Sequence, residues 1–398
     1  MIDKIENNIS HKYFVEQYLM NNRPCIFSKE LTAHWRCTKT WIKDGKLDID
    51  YFQSNFGKET APVMDCNKQY YSSHEKTDML VSDFIHYWKH RDERLLYLKD
   101  WHLQKLDMQP FYQVPSYFRS DWLNEYFDSE GSDDYRFVYV GVKNSWTSFH
   151  SDVFQSYSWS ANICGLKKWI FLFPGEENKL KDNFGNLPFD ITSLLEENKK
   201  EVKFFTVYQK TGEVIFVPSG WYHQVFNLED TVSINHNWIN SCSIGYFWKH
   251  LTKSLELVKK EINDCFSMDG FQEQCQLILC DLTGINYDGF LKMLCYLTKK
   301  RLKIFNNLLQ NVATTEELET LFISAQPAIT KEIIELDQLD KLEQLNQDLQ
   351  KLKEMLVNVS QSADFQKIAD SQRFHETNIL ITKLEEIDFS CIFAKLSL

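Results

Sequence analysis

Hydrophobic residues recur with strand-like spacing from about residue 135 onward, in short runs of aromatic and β-branched residues separated by Gly, Pro, Asn and Asp. Short strands with turn residues between them predict an antiparallel sandwich or barrel. A polar stretch at 175–200 interrupts the strands and predicts an insertion or loop with a short helix. The predicted strands are Arg136–Val142, Tyr157–Cys164, Lys168–Phe173, Val202–Tyr208, Glu213–Val217 and Thr231–Trp238.

The regions on either side of these strands have a different pattern. The N-terminal region is mixed, with helical periodicity in Ser82–His90 and an apolar run at Leu95–Leu98 that predicts a strand. After about residue 244 the strands stop, and the periodicity becomes helical over Phe247–Asn263, Phe271–Leu282 and Tyr287–Gln310. We therefore expect an α+β protein with an N-terminal mixed region (1–130), a β core (131–243) and a C-terminal helical region (244–398).

Residues 331–357 carry a stripe of leucines at spacings of three and four, which is typical of an amphipathic helix. We favour packing of this helix within the chain. A coiled coil that forms a homodimer is the alternative, but the stripe is shorter than four clean heptads. The leucines are Leu336, Leu339, Leu342, Leu345, Leu349, Leu352 and Leu356.

Composition narrows the class of protein. The net charge of -12 argues against a nucleic-acid partner and fits a basic protein substrate. The 10 cysteines form no C-x-x-C pair, and the N-terminal residues MIDKIENNIS lack an apolar signal core. No stretch reaches the roughly 20 apolar residues of a membrane span. We therefore expect reduced cysteines, no membrane partner, and a location in the cytoplasm or the nucleus.

The candidate chemistry lies in three residues, His150, Asp152 and His223. A His-x-Asp pair on a strand places both side chains on one face, because side chains alternate with a period of two. His223 follows a predicted strand and a Pro–Gly turn, and so begins the next strand. Two histidines and one carboxylate leave coordination positions open, as a non-haem Fe(II) oxygenase needs. Zinc binds such a set as well, although structural zinc sites are closed and commonly use sulfur.

The segment from Thr147 to Trp238 resembles the JmjC domain of the 2-oxoglutarate oxygenases. The resemblance rests on the His150-x-Asp152 pair, the Gly-Leu-Lys-Lys-Trp turn at 165–169, the Pro-Gly after Phe173, and the block Gly-Glu-Val-Ile-Phe-Val-Pro-Ser-Gly-Trp-Tyr-His at 212–223. It implies a double-stranded β-helix, a distorted jelly roll of the cupin type with helices packed outside. It also implies Fe(II) as the metal and 2-oxoglutarate and O₂ as cosubstrates, with ascorbate as a supporting reductant.

The resemblance also implies residues that hold the cosubstrate. The distal carboxylate of a keto acid must meet a cation, and Lys167 matches the lysine of the family. The neighbouring Lys168 points the other way on a regular strand. Thr147 matches a hydroxyl that meets the same carboxylate, and Asn235 matches a small polar residue near the cosubstrate. Tyr97 matches a tyrosine on an upstream strand that, like Thr147, meets the distal carboxylate. The alternative that stays open is a tyrosine of the hydrophobic core.

The segments Leu95–Asp100 and Asp121–Leu123 are similar to the N-terminal part of the JmjC-only protein hydroxylases. Within that group, the run His150–Gly165 is most similar to lysyl hydroxylases of the eukaryotic translation termination factor, which implies that factor as the protein partner. Two other functions stay open. A histone lysine demethylase shares the iron and the cosubstrate, although no reader module is visible. A cupin-like binding protein without turnover is the second, although all three candidate ligands are present here.

Overall fold

The computed structural model describes residues 2–6, 8–107, 109–132, 134–197, 201–322, 328–368 and 370–387; the side chains of 308–322, 328–340 and 371 lie outside the description. The chain forms two compact units, Met1–Tyr246 and Phe247–Leu398. The predicted N-terminal region and β core both fall within the first unit, and the division between these two parts stays a prediction.

The first unit contains the strands. The predicted strands are found with ends that differ by no more than about two residues, and the apolar run at 95–98 falls at the start of a longer strand. The strands are β1 Asp3–Ile5, β2 Cys25–Phe27, β3 Ile42–Lys43, β4 Lys46–Leu47, β5 Thr60–Tyr70, β6 Ser73–Leu80, β7 Leu96–Trp101, β8 Arg136–Gly141, β9 Trp146–His150, β10 Tyr157–Cys164, β11 Lys167–Leu172, β12 Phe204–Gln209, β13 Val214–Val217, β14 His223–Asn227 and β15 Thr231–Trp238.

The strands form a nine-stranded and a four-stranded sheet, with a separate β3–β4 hairpin. The large sheet has the order β1-β2-β13-β10-β15-β8-β7-β5-β6, and the small sheet has the order β12-β11-β14-β9. From β8 to β15 the chain passes repeatedly from one sheet to the other, which is the path of a jelly roll. Among the described strands none belongs to both sheets, so the core is a pair of sheets and not a closed barrel. The predicted jelly-roll fold is confirmed.

The interior between the two sheets is apolar at one end. Side chains from both sheets pack together there, because alternate residues of each strand point inward. The members of this cluster are Ile26, Trp169, Phe171, Val207, Ile215, Val217, Trp221 and Val225. Beside this cluster lies a cavity whose lining is mostly polar and is described below. Hydrophobic packing therefore holds the sheets together while the cavity stays open between them.

Each sheet is covered on its outer face. Rings from the N-terminal region pack on the large sheet, with Phe118 stacked on Trp159 at 5.3 Å between ring centroids. The predicted insertion at 175–200 contains a turn at Glu176–Leu180 and a helix at Thr192–Glu197, and its apolar residues pack on the small sheet. This covering explains the high aromatic content of the chain, 15%.

Most of the described helices precede β8 or follow β15 in the chain. Asp48 and Asp121 accept hydrogen bonds at the start of two helices in the first unit, and Asp370 does so in the second. None of the described helices is both long and apolar enough to span a membrane. The helices are α1 His11–Phe14, α2 Cys37–Thr40, α3 Ile49–Phe56, α4 Val81–Lys89, α5 Trp122–Glu130, α6 Thr192–Glu197, α7 Ile244–Glu261, α8 Phe271–Thr283, α9 Tyr287–Phe322, α10 Ala328–Ser360, α11 Ala363–Ile368 and α12 Ser371–Glu385.

The leucine stripe lies on α10, as predicted. Five of its members, from Leu342 to Leu356, are buried within the second unit, where α10 contacts α9 and α12. The side chains of Leu336 and Leu339 lie outside the described residues. Packing within the chain therefore accounts for the described part of the stripe, and a homodimer through these helices stays a prediction.

Candidate metal centre

The two sequence-predicted histidines face each other across a strand pair. His150 ends β9 and His223 begins β14, and the two residues are direct partners in the antiparallel register. Their ring centroids lie 4.4 Å apart. One possible ligand atom from each of His150, Asp152 and His223 lies within 4.8 Å of the other two. The structure thus brings together three residues that are up to 73 positions apart in the chain.

Asp152 is placed differently from the expectation, because β9 ends at His150. The carboxylate follows in extended backbone, with φ -63° and ψ 150°. The next turn contains Phe154 and Gln155 in the left-handed region, with φ +57° and +52°. Residues with a Cβ adopt this region only at a cost, so the turn must be held by its surroundings. Ser219 does so by donating a 2.6 Å hydrogen bond from Oγ to the carbonyl of Gln155.

Main-chain carbonyls fix the orientation of both imidazoles. The Nδ1 of His150 lies 2.8 Å from the carbonyl of Ser148, and the Nδ1 of His223 lies 2.9 Å from that of Trp221. A carbonyl only accepts, so each Nδ1 carries the hydrogen and each Nε2 is left as a lone pair. Burial lowers the pKa of both histidines, with the pKa of His150 held well below its usual value. Both rings are therefore neutral, as metal ligation requires.

The carboxylate has its own partner. Ser158 on β10 donates from its Oγ to Oδ2 of Asp152 at 2.7 Å, which leaves the other oxygen to a metal ion. Sequence reasoning missed this serine. The alternation of Ser158, Ser160 and Asn162 along β10 is the signal that could have indicated a polar face pointing inward.

Lys167 is buried in the same cavity, at 2% exposure. Its ammonium donates to the hydroxyl of Tyr97 at 3.3 Å, and among the described residues no carboxylate forms an ion pair with it. Burial, assisted by the charge of Lys99, lowers the pKa of Lys167 from 10.5 to about 7. Lys168 lies on the opposite face, over the ring of Phe226, as the alternation predicts. A lysine buried without an anion, whose charged form is disfavoured for that reason, indicates a site for an anionic ligand that would pair with the charged form.

Three further sequence-predicted residues line this cavity: Tyr97, Thr147 and Asn235. Tyr97 is almost fully buried, and burial raises its pKa. Asn235 donates from Nδ2 to Ser233 Oγ at 3.1 Å. The hydroxyl of Ser160, also in the lining, is buried without a hydrogen-bond partner within the described structure. The cavity therefore offers polar groups along its whole length.

Gly141 makes room at the Lys167 end of the cavity. A Cβ at this position would lie 2.2 Å from Nδ2 of Asn227 and 2.8 Å from both Ser145 Oγ and Tyr97 Cε2. Only a residue without a side chain allows these groups to converge. Asn227 was not predicted from sequence, although it lies four residues after His223 on β14 and hence on the same face.

Lys99 and Tyr139 also belong to the lining and were missed as well. Lys99 lies two residues after Tyr97 on β7, and its ammonium lies 5.2 Å from the ring centroid of Tyr139. The site can thus be divided into three parts. One end presents nitrogen and carboxylate ligands with open positions, which suits Fe(II). The other end presents a buried cation, which suits a carboxylate. Between them lie hydroxyl and amide groups.

Comparison with known proteins agrees with this arrangement. Residues 137–238 match the family model described as JmjC domain, hydroxylase. The protein named 2-oxoglutarate and iron-dependent oxygenase JMJD4 from Gallus gallus is 41% identical, over 92% of this chain and 87% of that protein. Its counterpart from Danio rerio is 42% identical, over 80% of this chain and 79% of that protein. A protein of Arabidopsis thaliana named Arginine-specific demethylase JMJ20 is 37% identical, over 83% of this chain and 80% of that protein.

Proposed function

This chain belongs to the JmjC family of 2-oxoglutarate- and iron-dependent oxygenases, and from that premise we propose that it hydroxylates a lysine side chain of the translation termination factor. The observation that carries the proposal is the cavity with His150, Asp152 and His223 at one end and the buried ammonium of Lys167 at the other. Such a cavity has ligands for a metal ion and a lysine for the distal carboxylate of 2-oxoglutarate.

The residues of the chain have separate tasks in this proposal. His150, Asp152 and His223 hold the iron, and Ser158 fixes the orientation of the carboxylate. When bound, iron and 2-oxoglutarate together supply the oxidising chemistry that turns a C–H bond into C–OH with O₂, releasing succinate and CO₂. The protein binds, orients and excludes water, and no side chain is needed as a general base.

The cosubstrate is proposed to lie along the cavity. The ammonium of Lys167 receives its distal carboxylate, together with the hydroxyls of Tyr97 and Thr147, because Lys167 contacts Tyr97 and all three side chains line the cavity. Asn235 lies beside the remainder of the molecule. The low pKa of Lys167, about 7, belongs to the protein without cosubstrate, and a bound carboxylate raises it again.

The choice of lysine and of the termination factor rests on the resemblance of residues 10–250 to the lysyl hydroxylases of the JmjC-only group. The net charge of -12 suits a basic protein partner. We place the reaction in the cytoplasm, where the termination factor acts.

Demethylation of a protein is the second candidate function. It is favoured by the 37% identity with the relative named Arginine-specific demethylase JMJ20. Hydroxylation of an N-methyl group releases formaldehyde, whereas hydroxylation of a lysine carbon leaves the oxygen on the product. The two functions therefore differ in their products although they share the same cofactors.

The test is to incubate the full chain with Fe(II), 2-oxoglutarate, ascorbate and recombinant termination factor, and to map modified residues by mass spectrometry. We expect one added oxygen on a lysine and no formaldehyde. The matched control is His150→Ala, which removes one metal ligand and is expected to abolish the product.

Each of the other outcomes of this assay would support a different function. Formaldehyde from a methylated protein would support the demethylase. Metal-dependent succinate release without a modified termination factor would discard the proposed substrate and keep the oxygenase. Folded, iron-loaded protein with neither signal would support a binding protein without turnover.

A further inference from the structure

Strand β7 bulges next to the metal centre. Between Leu98 and Trp101 the pairing with β8 slips, so that Lys99 and Asp100 both stand opposite Tyr139. Asp100 has a φ of +61°, in the left-handed region that is costly for a residue with a Cβ. Bulges beside active sites commonly redirect a side chain. The bulge therefore places the side chains of Lys99 and Asp100 beside one residue of β8.

Both side chains contact Tyr139. Its hydroxyl donates to Oδ1 of Asp100 at 3.0 Å, and the ammonium of Lys99 lies over its ring. Tyr139 and Lys99 line the same cavity as His150 and Asp152. The Asp100 carboxylate is thus one hydrogen bond away from the wall of the metal-bearing cavity, and the phenol holds it in a fixed orientation.

The charges of the cavity give this carboxylate a role in binding a cationic side chain. Lys99 and Lys167 both face inward, and the carboxylate of Asp152 is committed to the metal. An incoming ammonium therefore meets the charge of Lys99 and requires another carboxylate to offset it. Asp100 can supply it, because among the described residues its Oδ2 is paired with the ammonium of Lys76 alone, at 3.8 Å and beyond hydrogen-bond distance.

Lys76 is a replaceable partner. It reaches Asp100 from β6 with its side chain 49% exposed, and the Asp100 side chain is 29% exposed. An ion pair of this kind is weak in water, and a second ammonium of the same chemistry can take its place. The free protein thus holds a lysine of its own against the carboxylate that a substrate lysine would need.

We infer that Asp100, oriented by Tyr139, receives the ε-ammonium of the substrate lysine and releases Lys76. This inference rests on the proposed function and specifies how that function selects its side chain. With the nitrogen held at Asp100, behind the Tyr139 wall of the cavity, the methylene chain of the lysine is the part that reaches toward the iron. Such placement suits hydroxylation of carbon in an unmodified lysine.

The test compares Asp100→Asn with the parent chain. Asparagine keeps an oxygen for the Tyr139 hydroxyl and removes the charge. With termination factor as substrate, we expect KM to rise about tenfold or more, as for a lost charge-assisted bond at a partly exposed site, while kcat changes little. Lys76→Met is the matched control and should lower KM, because the competing ammonium is gone.

Peptide binding separates this inference from the proposed reaction. A lysine peptide from the termination factor and its norleucine counterpart are titrated against the Mn(II)- and 2-oxoglutarate-loaded protein without oxygen. We expect Asp100→Asn to weaken binding of the lysine peptide alone. Asp100-dependent binding without hydroxylated product would overturn the reaction and support this site. Hydroxylation with an unchanged KM in Asp100→Asn would overturn this site and leave the reaction standing.

Discussion

Replacing Lys167 by methionine should have opposite effects on stability and on cosubstrate binding. The ammonium is buried at 2% exposure, and its pKa is lowered from 10.5 to about 7, chiefly by burial. At pH 7.5 the folded protein therefore keeps this lysine mostly neutral, whereas the unfolded chain carries it charged. Removing a proton from an ordinary lysine at that pH costs about 4 kcal/mol. Methionine has a similar length and carries no such cost.

The expected change in the free energy of unfolding follows from the cost of burying lysine rather than methionine. Allowing about 1 kcal/mol for the lost hydrogen bond to Tyr97 and for relaxation around the charge, we expect Lys167→Met to gain roughly 2–3 kcal/mol in free energy of unfolding. For a unit of this size that raises the Tm by about 5–10 °C. Affinity for 2-oxoglutarate should fall by about two to three orders of magnitude, because a buried carboxylate loses its cation.

The assay is thermal unfolding with and without 2-oxoglutarate and Mn(II), together with calorimetric titration of the cosubstrate. Lys168→Met is the matched control, since its ammonium lies outside the cavity over Phe226 and the change should leave the cosubstrate affinity as it is. A lower Tm for Lys167→Met without ligand would refute the reasoning, because it would mean that the ammonium stabilises the free protein. An unchanged 2-oxoglutarate affinity would refute the assigned role.

Three further predictions concern the same cavity. Gly141→Ala should raise the KM for 2-oxoglutarate about tenfold or more in steady-state assays and leave Fe(II) affinity unchanged, because the new methyl group displaces Asn227 at the end away from the iron. Ser158→Ala should weaken Fe(II) binding by about 10–100-fold in a metal titration, since Asp152 loses its orienting hydrogen bond; equal affinity would contradict that role. Affinity for 2-oxoglutarate should fall about tenfold per pH unit above pH 7, with proton uptake visible in calorimetry, because binding needs the charged form of Lys167. The pH dependence of stability has the opposite direction to that of cosubstrate affinity. Between about pH 7 and 10.5 the lysine of the unfolded chain keeps its proton and that of the folded protein has lost it, so the free energy of unfolding rises with pH through this window.

The sequence predicts well those parts of the fold that depend on residues close together in the chain, and less well those that depend on distant residues. Strand alternation and helical periodicity are local signals, and they located β10, β15 and α10 well. The ends of strands depend on tertiary contacts. For this reason Asp152 was expected on a strand, whereas β9 ends at His150 and Asp152 lies just before the turn that Ser219 holds.

The residues of the candidate site also divide into those with a local sequence signal and those placed by tertiary contacts. His150 and His223 were found because their spacing and surrounding motif are specific. Asp100 was missed because a bulge changes which face a residue occupies, and no local pattern signals that the pairing with Tyr139 slips. Lys99 carries a signal, its even spacing from Tyr97, but that signal has meaning only once Tyr97 is known to face the cavity. Asn227 carries a signal, its even spacing from His223, but that signal has meaning only once β14 is known to face the cavity.

The partners that orient the two histidines have a consequence for how such a protein can change over generations. Both Nδ1 atoms bond to peptide carbonyls two residues earlier in the chain, at Ser148 and Trp221. A peptide carbonyl is present whatever amino acid occupies the position, so no single substitution at these neighbours deletes the hydrogen bond. Lineages can therefore exchange the side chains around the histidines and acquire new targets while the metal ligands keep their tautomer and direction.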